Sequence, residues 1–203
     1  MRILLAFTIS LSFAFGAWLA DENMEHPESS DMHKRIAQYL QNCENGSAGD
    51  CYFVAHEYMK GEDDLQWYAE AAYYYQLACN GGVLKGCSNL GVLYENGLGV
   101  KQDYATSARL YSYACSYAEP DGCNNLGMLS QKGKFVVKNY ANAMMLYKRA
   151  CAGGSSAGCM NLGDMYAKGI GMIKNKKKAL SFYGRACDIG FQEGCELYNQ
   201  YTQ

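Results

Sequence analysis

The chain has 203 residues, with 18 Lys and Arg against 20 Asp and Glu for a formal charge of -2, and 22 Gly but only 2 Pro. That composition excludes a disordered or collagen-like chain. The absence of a cationic excess or a basic stripe removes the electrostatic footprint of a nucleic-acid binder, so no nucleic-acid partner is expected.

Read from the N-terminus, Arg2 precedes an uncharged apolar stretch from Ile3 to Ala20, which Asp21 and Glu22 end. This is the layout of a secretory signal peptide over residues 1–20, and the small residues Ala14, Gly16, Ala17 and Ala20 offer cleavage points. An uncleaved anchor is the alternative, since the run is just long enough to cross a bilayer. After cleavage the expected location is the periplasm or the cell exterior, without membrane contact, where cysteine pairs oxidise to disulfides. Residues 21–50 are then a lead and a capping helix, Asp31 to Asn42, whose Tyr39 falls in a tyrosine column described below.

The ten cysteines stand at 43, 51, 79, 87, 115, 123, 151, 159, 187 and 195, five C-x7-C pairs displaced from one another by 36 residues. Aligning on the second Cys divides the chain into four gapless units, residues 51–86, 87–122, 123–158 and 159–194, with a capping stub at 195–203. Three residues past the Cys stand Val54, Leu90, Leu126 and Leu162, then Ala55, Gly91, Gly127 and Gly163, then Tyr58, Tyr94, Ser130 and Tyr166. These share one face of a first helix. Gly61, Gly97, Gly133 and Gly169 follow at one offset, where a helix ends in the left-handed conformation that glycine accepts.

A second helix follows in every unit. Ala71, Ser107, Ala143 and Ala179 form one column, Tyr75, Tyr111, Tyr147 and Tyr183 the next, and Ala78, Ala114, Ala150 and Ala186 a third, at helical spacings of four and three. The tyrosines read as rings filling notches over Ala or Gly rather than as a carbohydrate-stacking surface. A single helix hairpin cannot bury both faces, so the fold class is all-α: a solenoid of stacked helix-turn-helix repeats.

Each C-x7-C joins the end of one unit's second helix to the start of the next unit's first helix. The expected bridges are Cys43–Cys51, Cys79–Cys87, Cys115–Cys123, Cys151–Cys159 and Cys187–Cys195, each worth about 2 to 3 kcal/mol by loop closure. Metal is the rival use of such residues. The only histidines are His26, His33 and His56, none at ligand spacing from another, so no metal and no cofactor is expected.

The stretches C-S-N-L-G-V-L-Y-E-N-G-L-G-V from Cys87 and C-M-N-L-G-D-M-Y-A-K-G-I-G-M from Cys159, each followed by a Tyr-and-Ala helix ending in A-C, resemble Sel-one-like repeats, relatives of the tetratricopeptide repeat. The length of 36 with C-x7-C in every unit resembles the Helicobacter cysteine-rich proteins, over residues 31–203. Gly61-Glu62-Asp63 and Gly133-Lys134-Phe135 depart from the G-x-G turn, Ser130 replaces Tyr, and Pro120 interrupts the link before the third unit. The resemblance implies a secreted right-handed superhelix, and a penicillin-binding protein or weak β-lactamase.

The sequence contains no S-x-x-K, S-D-N or K-T-G, the constellation a serine β-lactamase uses. Paired cysteines cannot act as thiolates, and His56-Glu57 lacks the second His of a zinc-protease motif, because Lys60 stands there. No catalytic residue is assigned.

Repeat solenoids of this kind hold peptides or proteins on the concave face made by their first helices. The candidate binding residues are those two, five and nine positions past the Cys: Phe53, Asn89, Asn125 and Asn161; His56, Met128 and Asp164; Lys60, Lys132 and Lys168. A repeated amide offers donor and acceptor to an extended backbone or a sugar, and the lysines suit a carboxylate. The alternative is that each Asn satisfies a group on the adjoining helix and the lysines are solvated tips. The expected partner of a monomeric chain is therefore a protein, a peptide or a cell-wall (peptidoglycan) fragment, with a β-lactam as the family-implied alternative. The cluster Lys174, Lys176, Lys177 and Lys178 reads as a solvated face.

Overall fold

The computed structural model describes residues 27–60, 65–134 and 137–202. The expected leader at 1–20, together with Gly61 and Phe135 of the turns, lies outside the described residues. The chain divides into two compact units, residues 1–37 and 38–203, and the second carries all the repeats.

Helix α1 spans Pro27–Glu44, longer than the 31–42 expected. The repeats then run as α2 (Ala48–Tyr58) with α3 (Leu65–Asn80), α4 (Leu84–Asn96) with α5 (Tyr104–Ser116), α6 (Pro120–Lys132) with α7 (Tyr140–Ala152), and α8 (Ser156–Lys168) with α9 (Lys176–Asp188), followed by α10 (Gln192–Thr202). Every helix from α2 onward packs on its neighbour in sequence, and α6 also touches both α4 and α8. The first helices are thus the crowded inner row, and α3, α5, α7 and α9 form the outer row.

The tyrosine column is the spine of the core. Tyr75, Tyr111, Tyr147 and Tyr183 are at most 2% exposed. A Cβ placed on Gly91, Gly127 or Gly163 would come within 2.6, 2.7 or 2.6 Å of the ring of Tyr111, Tyr147 or Tyr183, so the rings lie directly on glycine backbone. Burying a side chain of this size stabilises by about 1.5 to 3 kcal/mol. Tyr39, in the same sequence column, departs from the pattern: it is 40% exposed and its ring stacks on Phe53 at 5.5 Å.

Gly97, Gly133 and Gly169 end α4, α6 and α8 with φ of 70°, 72° and 71°, the left-handed cap expected of them. The links between units use the same conformation at Gly46, Gly82, Gly154 and Gly190, but the fifth member of that column is Ala118, with φ 66°. Pro120 does not interrupt its link. It opens α6, where its fixed φ suits the first helical turn and the missing N–H is not needed. Asp103, Asn139 and Asn175, spaced by the repeat, cap α5, α7 and α9 through their side-chain oxygens. The Thr106 hydroxyl and backbone N–H hold the Asp103 carboxyl below the usual carboxylate range.

All five expected disulfides are formed, with Cα–Cα distances of 4.7 Å in the first two and 4.5 Å in the last three. Among the described residues, no helix is long and apolar enough to cross a membrane.

Candidate functional site

The inner row brings two of the three predicted asparagines together. Asn161 on α8 donates through Nδ2 to Oδ1 of Asn124 on α6 at 2.8 Å, and Asn124 Nδ2 donates to Asn125 Oδ1 at 3.2 Å. Asn124 is buried, whereas Asn125 and Asn161 are half-buried. The result is an amide relay running from one repeat to the next, and Asn124, its middle member, is a residue the column argument overlooked. Its signal in the sequence was the doubled Asn at 124–125. Asn89 on α4 takes a different role, hydrogen-bonding the hydroxyl of Tyr75. Burial pushes that hydroxyl up to about 12, with Asn89 working in the opposite direction.

At the remaining positions the roles diverge. Phe53 is exposed and holds Tyr39 on its face. His56 is exposed, with Nδ1 at 4.0 Å from Glu57 Oε1, and Lys60 pairs with the same carboxylate. Met128 is half-buried and packs on the cluster around Tyr147, Leu162 and Tyr183, so it belongs partly to the core. Asp164 accepts a hydrogen bond from the Tyr183 hydroxyl at 2.7 Å and pairs with Lys168. Lys132 is exposed.

The buried tyrosines reach the inner row by their hydroxyls, which the sequence columns did not show. Tyr111 donates to Glu95 Oε2 at 3.1 Å and Tyr147 to Gln131 Oε1 at 3.0 Å, each acceptor standing eight residues past a Cys. Burial pushes the Tyr111, Tyr147 and Tyr183 hydroxyls well up, and the Glu95 and Asp164 carboxylates add to this at Tyr111 and Tyr183. These hydroxyls stay protonated and anchor the inner helices to the outer ones.

Several lysines lie over rings while remaining in contact with water. Lys178 sits 5.1 Å from the centre of the Tyr166 ring and Lys176 5.8 Å from that of Tyr201, while Lys134 lies 4.5 Å above Tyr104. Among the described residues no group of three or more His, Cys, Asp or Glu could hold a metal ion. An open depression of about 590 Å³ lies on the outer row, between α3 and α5.

Four segments, residues 50–83, 84–116, 120–155 and 156–191, match the Sel1 repeat. The chain belongs to the Sel1 repeat family. A Sel1 repeat protein from Oxalobacter formigenes has a similar structure, with a TM-score of 0.73 at 22% identity, over 86% of this chain and 71% of that one. A protective antigen of uropathogenic Escherichia coli with the SLR fold gives 0.68 at 28% identity, over 79% of this chain and 34% of that one. The Helicobacter pylori cysteine-rich protein B is 34% identical, with a TM-score of 0.50, over 64% of this chain and 92% of that one. No curated protein matches the chain. With a disulfide at every repeat junction, this Sel1 repeat protein is of the Helicobacter cysteine-rich type. Its five disulfides point to an extracytoplasmic protein.

Proposed function

We propose that this Sel1 repeat protein is a monomeric scaffold, secreted or periplasmic, that binds an extended segment of a partner protein along its inner row of helices. The amide relay carries this reading. Asn161 spends its Nδ2 on Asn124, which leaves its Oδ1 as an acceptor; Asn125 spends its Oδ1, which leaves its Nδ2 as a donor. One acceptor and one donor on neighbouring helices match the alternating N–H and C=O of an extended backbone. Exposed Phe53, His56 and Lys132 lie on the same row, where side chains of a bound segment would meet them.

The test starts from peptides selected on the mature chain out of a random library. Their affinities are then measured for wild type and for the Asn125→Ala/Asn161→Ala double variant, with melting temperature as a control for folding. Loss of two hydrogen bonds predicts binding weaker by about tenfold or more. Unchanged affinity in a folded double variant contradicts the proposed site.

A further inference from the structure

The outer row shows a repeated contact with one member missing. Leu77, Tyr113, Arg149 and Arg185 occupy one column, near the ends of α3, α5, α7 and α9. Arg149 donates through Nη2 to the carbonyl oxygen of Cys115 at 2.9 Å, and Arg185 does the same to Cys151 at 3.4 Å. Each arginine therefore reaches across an outer groove to the end of the preceding outer helix. There the carbonyls carry the negative pole of the helix dipole. Both carbonyls also accept a backbone N–H, from Ala118 at 3.0 Å and Gly154 at 3.2 Å, so the guanidinium takes the second lone pair. Leu77 instead packs on the cluster around Cys43 and Cys51.

The groove between α3 and α5 has the same carbonyl but no arginine. Cys79 O accepts the Gly82 N–H at 3.0 Å, as its counterparts do, and the column residue is Tyr113. The groove is accordingly open, forming the depression lined by Gln76, Cys79, Asn80, Arg109, Leu110 and Tyr113. Tyr113 is 44% exposed, and its ring lies 5.0 Å from that of Tyr117, which is 64% exposed. Of these two rings Tyr113 lines the depression beside the end of α3, where it gives a planar cation a π face next to a carbonyl acceptor.

We propose that this depression receives the guanidinium of an arginine carried by a partner protein, in the place that Arg149 and Arg185 fill in the next two grooves. Arg109 is the cation already lining it. Its Nη2 donates to Thr106 Oγ1 at 2.9 Å, and that hydroxyl donates to Asp103 Oδ2 at 2.5 Å, which draws Arg109 toward the start of α5. Its remaining donors favour an arginine that has an acidic residue beside it. A lysine fits less well, because an ammonium cannot lie flat on a ring while donating along the groove.

The test titrates the isotope-labelled mature chain with a capped Glu-Arg dipeptide and with its citrulline counterpart, which has the same shape without the charge. The arginine peptide is expected to shift the amides of 79–82, and the citrulline peptide to bind about tenfold more weakly or not at all. In Tyr113→Arg the chain supplies its own guanidinium, so the peptide shifts should vanish while the melting temperature rises. Arg149→Ala should open a second site, seen as new shifts at residues 115–118. The Asn125→Ala/Asn161→Ala variant should bind the dipeptide normally, which separates this site from the inner row. Equal binding of the two peptides, no binding of either, or undiminished binding to Tyr113→Arg overturns the proposal.

Discussion

Gly158 lies so close to Ala150 that a Cβ on the glycine would stand 2.5 Å from the alanine's own. The alanine immediately precedes Cys151 and the glycine immediately precedes Cys159, whose Cα atoms are 4.5 Å apart. Close approach of the two backbones is what brings these cysteines into bridging range. The same arrangement recurs at Gly86 on Ala78, Gly122 on Ala114 and Gly194 on Ala186, with corresponding distances of 2.9, 2.7 and 2.8 Å. Glycine, alanine and disulfide together make these four junctions, whereas at Cys43–Cys51 the corresponding residues are Asn42 and Asp50.

A methyl group at that junction must push the hairpins apart. Gly158→Ala is expected to destabilise the folded chain by about 1 to 3 kcal/mol, the usual cost of overpacking. Gly49→Ala is the matched control, because a Cβ there meets nothing within 4 Å and the residue lies within α2. It should leave stability unchanged or raise it by up to about 1 kcal/mol. Urea unfolding of both variants with the disulfides intact checks the contrast.

Ala118 holds the left-handed conformation at φ 66° that glycine holds at the four other links. An alanine there carries a steric cost on the order of 1 kcal/mol. Ala118→Gly is expected to stabilise by about that amount and to raise the melting temperature by about 2 to 4 °C. A fall in melting temperature would show that the alanine methyl makes a compensating contact.

Tyr58 and Tyr75 both have hydroxyls that burial pushes up to about 12 from an ordinary value of 10.0. A proton held more tightly in the folded state stabilises it fully below the unfolded value, and that stabilisation is lost as pH rises toward the folded one. Stability is therefore expected to fall between about pH 10 and pH 12, with Tyr75→Phe falling less steeply than wild type. Alkaline denaturation followed by ultraviolet absorbance of tyrosinate measures both.

What the sequence disclosed follows from what a fixed period can encode. Columns at one offset mark the residues that every repeat needs, which is why the cysteine pairs, the Gly97, Gly133 and Gly169 caps and the Tyr-on-Gly packing could be read directly. Tyr39 broke its column because it stacks on Phe53 instead of lying on a glycine. The amide relay escaped because Asn161 and Asn124 are 37 residues apart, so their contact crosses two columns rather than lying in one. The arginine bridges escaped for a similar reason, since only two of four repeats carry them and their acceptors are backbone carbonyls, which no residue letter records. The caps Asp103, Asn139 and Asn175 stand in the sequence as a column of Asp and Asn before a helix.

The junctions bear the whole arrangement, and their chemistry can be measured without any ligand. The most direct measurement is proteolysis of the exported chain without reduction, followed by mass spectrometry of the linked peptides. Five bridges are predicted, each joining cysteines eight positions apart, from Cys43–Cys51 to Cys187–Cys195, with no free thiol. A bridge that skips a repeat, or a substantial fraction of reduced cysteine, would contradict hairpins locked edge to edge.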